Sequence, residues 1–168
     1  MTLIAIEDRQ DYLHALALSQ EEGGSAAKAY ELLKAAASQG DQRAKYAIAT
    51  WLLHGKQGVV EADVKTGLRL LRELAKSNIA EALFDLAVSY DYGWGTRRNE
   101  QAAFSCYMRS ALLGSKKSCA QIAEFYREGA LVKHDHSLYL AWKKRSRQPE
   151  VEISPPYRLW LETTTPQN

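Results

Sequence analysis

The feature that most constrains the fold is a glycine that returns at a nearly fixed spacing. Gly55, Gly93 and Gly129 lie 38 and 36 residues apart, and each follows an amphipathic helical pattern. Because glycine has no Cβ, it readily takes the left-handed backbone conformation that ends a helix. The spacing therefore predicts a series of similar helical units.

The clearest unit is 82–114, with the sequence ALFDLAVSYDYGWGTRRNEQAAFSCYMRSALLG. Its first half places apolar residues at helical spacing up to Tyr90, and Gly93 and Gly95 then require a turn. Asn99 is a suitable N-cap for a second helix, which Gly114 ends. The inward positions of this second helix are Ala103, Cys106, Tyr107, Ser110 and Ala111. The unit is predicted to be a helical hairpin.

The same register extends to the units on either side. Small residues coincide at Ala44, Ala82 and Ser118, larger apolar residues at Ile48, Leu86 and Ile122, and capping residues at Asp63, Asn99 and Asp135. A small residue allows two helices to touch, and a large one fills the space beyond. Asn78 with Glu81 predicts a capping box. Further inward positions are expected at Leu52, Leu70, Leu71, Leu74, Leu138, Tyr139 and Trp142.

This pattern resembles the Sel1-like repeat, an α/α-hairpin family related to tetratricopeptide repeats. The resemblance is strongest over 82–114, where LAVSYDYGWGT is followed by AA, CY, SA and LLG at the family's spacing. It departs from the family where Gly67 replaces a usual alanine and Leu70 a common aromatic residue. The resemblance implies an all-α fold, a right-handed α-solenoid of about four hairpins over 1–148, with its clearest repeats at 44–81, 82–117 and 118–147.

The segment 149–168 breaks this pattern with prolines and ends in a polar tail. Because a repeat array leaves an apolar end, we expect Leu159, Trp160 and Leu161 to cap the last hairpin. The N-terminus carries no signal-peptide pattern and no apolar run approaches a membrane span of ~20 residues, which favours a cytoplasmic protein that is not bound to a membrane. The formal net charge is +2.

The resemblance implies a non-catalytic protein-interaction module, an adaptor or scaffold, that binds a partner protein in a concave groove lined by the first helix of each repeat. Small bacterial members also resemble immunity or antitoxin proteins, so the partner could be a toxin or an effector. Exposed aromatic residues are common anchors at protein interfaces. The positions expected to contact the partner are Tyr46, Trp51, His54, Phe84, Asp85, Ser89, Tyr92, Phe125 and Arg127.

Two other function classes stay open from the sequence. One is a hydrolase with its site in the groove, although no spacing assigns catalytic residues. The other is nucleic-acid binding through the basic segment 133–147, but Tyr139 and Trp142 fall on core positions and nucleic acid is therefore disfavoured. His134 and His136 flank Asp135 without a third ligand nearby, and Cys106 and Cys119 lie within helices, so no metal, cofactor or disulfide is predicted.

Overall fold

A computed structural model of the chain describes residues 14, 15, 18 and 26–148. The sequence also predicts an amphipathic helix over about 3–20, which lies largely outside these residues. The expected C-terminal cap with Leu159, Trp160 and Leu161 lies outside them as well. Within 26–148 the chain is all-α and forms seven helices, with one isolated bridge between Lys56 and Val60. The helices are α1 (Ala26–Ser38), α2 (Gln42–His54), α3 (Val64–Lys76), α4 (Ala80–Tyr92), α5 (Glu100–Leu112), α6 (Lys116–Glu128) and α7 (His136–Arg147).

The glycines and caps that the repeat register predicts begin and end these helices. Gly55, Gly93 and Gly129 follow α2, α4 and α6 with φ values of 74°, 71° and 69°. The side chains of Asn99 and Asp135 accept backbone hydrogen bonds from the first turns of α5 and α7. These features confirm the predicted helix ends and caps, and they satisfy backbone groups that a helix end leaves free.

The chain divides into two compact units, Met1–Leu71 and Arg72–Asn168. In the first, α1 packs on α2, and their small and apolar residues form a core that includes Ala29, Leu33, Ala44 and Ile48. Asp41 caps α2 and also accepts hydrogen bonds from the Arg43 side chain at 3.1 Å and 2.6 Å. This buried ion pair fixes the junction between the two helices.

In the second unit, α4 packs on α5, α5 on α6, and α6 on α7. The core contains the predicted small and large positions of the repeat together with one buried phenol: Ala87, Ala103, Tyr107, Ala111, Cys119 and Ile122. Cys119 is buried and its thiol contacts the Ala111 carbonyl at 3.7 Å, and Cys106 is half-buried. Burial raises the pKa of both thiols, as expected of structural cysteines.

Two local predictions are wrong. Ile79, and not Asn78, occupies the N-cap of α4; Asn78 has a φ of 58° and its side chain accepts a hydrogen bond from Arg109. In α2 and α3, Leu52 and Leu70 are partly buried and pack against the core, as predicted, while the buried Leu53 and Leu68 were not singled out by the sequence. The second wrong prediction concerns α7. In α7 no residue is buried, and Leu138, placed inward by the sequence, is 39% exposed.

Candidate functional site

The positions expected to contact a partner fall in both units, and their burial and side-chain contacts differ. In the unit Met1–Leu71, Tyr46 is half-buried and His54 is exposed at the end of α2. Trp51 stacks on Tyr30, with ring centroids 5.6 Å apart and planes 9° from parallel. Lys34 Nζ lies 5.4 Å from the Tyr30 ring, and Lys56 Nζ 5.6 Å from the Trp51 ring. Trp51 therefore has a packing role of its own.

In the unit Arg72–Asn168, four of the predicted positions have structural contacts. Phe84 packs against Tyr107 with centroids 5.7 Å apart, and Phe125 against Phe104 at 5.2 Å in an edge-to-face arrangement. Asp85 is half-buried, and its carbonyl accepts a hydrogen bond from the Ser89 hydroxyl at 2.9 Å. The sequence places Ser89 among the partner contacts, but its side chain is fully buried and packs inside the protein. A hydroxyl satisfied by its own helix can be buried at little cost.

Three of the predicted positions meet at a cavity of about 470 Å³ between the end of α4, the start of α5 and α6. Tyr92, Phe125 and Arg127 all line it, and the Tyr92 side chain is 78% exposed. Asp91, which the sequence also places on the groove-lining helix, lines it too, whereas the sequence did not single out the other charged, polar and small lining residues: Arg98, Glu100, Gln121, Glu124, Glu128 and Ala130. This cavity is the candidate functional site.

Buried residues hold the walls of this cavity in place. Tyr107 is 1% exposed, and the Asp91 carboxylate lies close enough to act on the pKa of its hydroxyl. Burial in the core, and then the nearby Asp91 carboxylate, raise the pKa of Tyr107 well above its ordinary value. Phe125 lies 6.3 Å from the same phenol. The buried Tyr107 thus lies close to both an acidic and an apolar residue of the cavity lining, Asp91 and Phe125.

The charged side chains of the cavity are arranged in local ion pairs. The Arg98 side chain donates to the Asp91 carbonyl at 2.9 Å and to Glu100 Oε1 at 2.5 Å. Arg127 Nη2 lies 2.5 Å from Glu124 Oε2 and 3.7 Å from a Glu128 oxygen. Glu124 Oε2 is shielded from solvent and accepts no hydrogen bond, because the short contact to Arg127 has ion-pair distance without hydrogen-bond geometry.

The basic segment at the end of the described chain has its own aromatic contacts. Lys143 donates to the Tyr139 hydroxyl and its Nζ lies 4.7 Å from the Tyr139 ring, while the Arg145 guanidinium lies 5.6 Å from the Trp142 ring. Both rings are half-buried, not buried as expected. Their faces carry cations of the same helix, which disfavours their use as platforms for nucleic-acid bases.

The repeated helical hairpins identify the class of protein. Helical hairpins that repeat with small contact residues and terminal glycines define an α-helical repeat protein. The model of the Sel1 repeat matches residues 12–41, 42–78 and 80–115. These ranges cover more than half of the chain, and the protein belongs to the Sel1 repeat family, whose repeats typically serve as non-catalytic protein-interaction modules. The first match lies before the three clearest repeats predicted from the sequence.

Solved structures agree with this assignment. A Sel1 repeat protein from Oxalobacter formigenes is 24% identical with a TM-score of 0.70, over 83% of this chain and 55% of that one. The protective antigen c5321 of uropathogenic Escherichia coli is 19% identical with a TM-score of 0.74, over 83% and 30%. The chain thus spans about half of the first protein and less than a third of the second.

A third similar structure is that of an immunity protein. The immunity protein Pa5087 from Pseudomonas aeruginosa is 13% identical with a TM-score of 0.51, over 87% of this chain and 67% of that one. At these identities the likenesses establish the fold alone. No curated protein matches the chain.

Two other kinds of feature are absent from the residues that the structure describes. None of the helices there has the length and apolar character needed to cross a membrane. In the same residues, no group of three or more His, Cys, Asp and Glu side chains is arranged to hold a metal ion.

Proposed function

We propose that this protein is a non-catalytic interaction module that holds a partner protein at the cavity between α4, α5 and α6. The observation that carries the proposal is the 78% exposed Tyr92 on a cavity that Phe125 also lines. A large rigid side chain at such a position buries much surface on binding and loses little conformational entropy. We also propose that it acts in the cytoplasm.

Packing does not account for the position of the Tyr92 side chain. Tyr92 is the last residue of α4, and the backbone N–H of Gly93 behind it already closes the helix on the Ser89 carbonyl. The glycine therefore ends the helix, and the exposed ring is available for contact with another molecule. Phe125 instead is held by Phe104 and Tyr107, which makes it a fixed wall and not a mobile anchor.

The test is quantitative affinity purification from cells of the native organism with wild-type protein and a Tyr92→Ala variant. Leu112→Ala is the matched control, because Leu112 is also a large exposed apolar residue, at 54%, but lies at the far end of α5. We expect Tyr92→Ala to lose a partner that Leu112→Ala retains. Equal recovery with both variants would contradict binding at the cavity.

A narrower form of this proposal is an immunity-type inhibitor of a toxin. Its support is the fold likeness to an immunity protein, which is too distant to transfer a partner. The inhibitor form predicts one tightly bound protein recovered at a one-to-one ratio, whose toxicity in a growth assay is suppressed by co-expression. Recovery of several partners that depend on Tyr92 would instead support an adaptor.

A further inference from the structure

We infer that the cavity between α4, α5 and α6 receives an arginine side chain of the partner protein. This inference rests on the proposed function and names the chemistry of the contact. It is carried by the charge balance of the cavity and by the aromatic side chains that line the cavity together with the carboxylates.

The charge balance of the cavity favours a cation. Its lining contains four carboxylates, from Asp91, Glu100, Glu124 and Glu128, but only two guanidinium groups, from Arg98 and Arg127. The formal balance of the lining is therefore −2. Opposite charge attracts a partner group and discriminates against an acidic one.

The two arginines of the cavity already have partners within their own segments. Arg98 is tied to the carbonyl of Asp91 and to Glu100, and Arg127 pairs with carboxylates three residues before it and one residue after it. More than half of each side chain is exposed to solvent. Because exposed ion pairs contribute only about 0–1 kcal/mol, an incoming guanidinium can share these carboxylates without a large loss.

Two of the lining carboxylates are suited to bind a guanidinium. Glu124 pairs with Arg127 at 2.5 Å, and 37% of its side chain is exposed to solvent. Asp91 is half-buried and lines the same cavity. A guanidinium has five N–H donors in a fixed plane and can reach two acceptors at once.

Aromatic rings supply the remaining contact, and they favour arginine over a simple ammonium. Tyr92 and Phe125 line the same cavity as the carboxylates. Guanidinium stacks on aromatic faces and is more weakly hydrated than an ammonium. The volume of about 470 Å³ lies within the common range of ligand sites, about 300–1,000 Å³. These features commit the site to one arginine side chain.

The experiment titrates the full-length protein with N-acetyl-argininamide and follows backbone amide shifts by NMR. The uncharged N-acetyl-norleucinamide is the comparison probe, because it has a similar chain without the guanidinium. Glu124→Gln and Glu128→Gln each remove one charge from the cavity. Glu31→Gln is the matched control, since Glu31 also pairs with a cation three residues later, Lys34 at 2.7 Å, but on α1.

We expect saturable shifts at cavity residues such as Gln121 and Ala130 with the arginine probe and none with the norleucine probe. Removal of either cavity charge should weaken binding by about fivefold, and Glu31→Gln should leave it unchanged. Equal shifts with both probes, no saturable shifts, or equal weakening by the Glu31 variant would overturn the inference. The use of two cavity variants keeps the test valid if one of them fails to fold.

Failure here can be separated from failure of the proposed function. If Tyr92→Ala loses its partner but the arginine probe does not bind, the cavity binds a protein by other chemistry and only this inference fails. If the probe binds as expected but the partner is recovered equally with wild type and with Tyr92→Ala, the proposed function fails.

Discussion

Ser110 and Ser118 show how two buried hydroxyl groups can be accommodated between helices. Ser118 Oγ donates to Ser110 Oγ at 2.7 Å, and Ser110 Oγ donates in turn to the Ala80 carbonyl at 2.6 Å. Both serines are fully buried. The chain of hydrogen bonds links α6 to α5 and α5 to α4, so the small repeat positions provide directed contacts as well as close approach.

Because of the direction of these bonds, the two serines should differ in how much their removal lowers the free energy of unfolding. Ser110→Ala should lower the free energy of unfolding by about 1–3 kcal/mol, because the Ser118 hydroxyl and the Ala80 carbonyl both lose a buried partner. Ser118→Ala should cost less, about 0.5–1.5 kcal/mol, because the bond from Ser110 to Ala80 survives. Urea unfolding of both variants checks this order, and a larger loss for Ser118→Ala would contradict the bond directions.

The buried phenol of Tyr107 predicts a loss of stability at alkaline pH. Above pH ~10 a tyrosine ionises in the unfolded chain, whereas the raised pKa keeps Tyr107 neutral in the folded protein. Its contribution to stability is therefore complete below pH ~10 and is lost as the pH rises toward the folded pKa, by at most about 1.4 kcal/mol per pH unit.

Tyr107→Phe should remove this part of the alkaline decline, since the ring stays but the ionisable group does not. The measurement is the urea midpoint of wild type and variant at about pH 8 and about pH 11. The difference between the two midpoints should be larger for wild type. An identical alkaline decline in both proteins would show that Tyr107 ionises as readily folded as unfolded.

At the residue scale the sequence predicted the core better than the site. The small, large and glycine positions of the repeat are visible because they recur, and Ala82, Ile122 and Gly129 lie where the register placed them. Glu124 and Glu128 have no such signal, because charged residues on a helix usually face solvent. They become part of a cavity only when α5 packs beside α6.

At the scale of the helices, Gly67 explains a departure from the family pattern. It lies inside α3, where a Cβ would stand 2.9 Å from Leu53 Cγ and 3.0 Å from the Ala49 carbonyl oxygen. The backbones of α2 and α3 therefore approach too closely for the alanine that is usual at this position. The pattern alone could not reveal this, because the contact depends on the neighbouring helix.

The Gly67→Ala substitution should show whether helix propensity or packing has the larger effect on stability at this position. Propensity alone predicts a gain of about 1 kcal/mol, whereas the short contact to a backbone oxygen predicts a net loss of about 1–2 kcal/mol. Lys65→Ala, at an exposed position of the same helix, should change stability by less than about 0.5 kcal/mol. Urea unfolding measures both, and a Gly67→Ala variant more stable than wild type would contradict the close approach.

The start of α4 shows a limit of prediction from helix signals. Asn78 and Glu81 match a capping box, yet Asn78 takes a left-handed backbone conformation after α3 and its side chain accepts a hydrogen bond from Arg109. Arg109 also donates to the Ala75 carbonyl at 2.9 Å. Asn78 thus bonds to Arg109 of α5, although the local pattern predicted that it would cap α4.

At the scale of the molecule, the unit Arg72–Asn168 has a gradient of burial. Its helices α4, α5 and α6 contain fully buried residues, whereas α7 contains none. Leu138 and Leu140 of α7 remain 39% and 51% exposed. The register predicted the existence of α7 and its cap but could not predict this exposure, which depends on what packs against the last repeat.

This gradient predicts where the unit opens first. Amide hydrogen exchange followed by mass spectrometry should show α7 exchanging at least about tenfold faster than α5, because few buried contacts hold it. The comparison is made within one protein, so it needs no variant. Exchange of α7 at the rate of α5 would mean that the last helix is as firmly held as the centre of the unit.

The central claim is that a partner protein binds at the cavity marked by Tyr92. Its most direct test places the photocrosslinker p-benzoylphenylalanine at position 92 and, as the control, at the exposed position 112. After irradiation in native cells, the account predicts a discrete crosslinked protein from position 92 that is absent from position 112. The same product from both positions, or none from position 92, would contradict it.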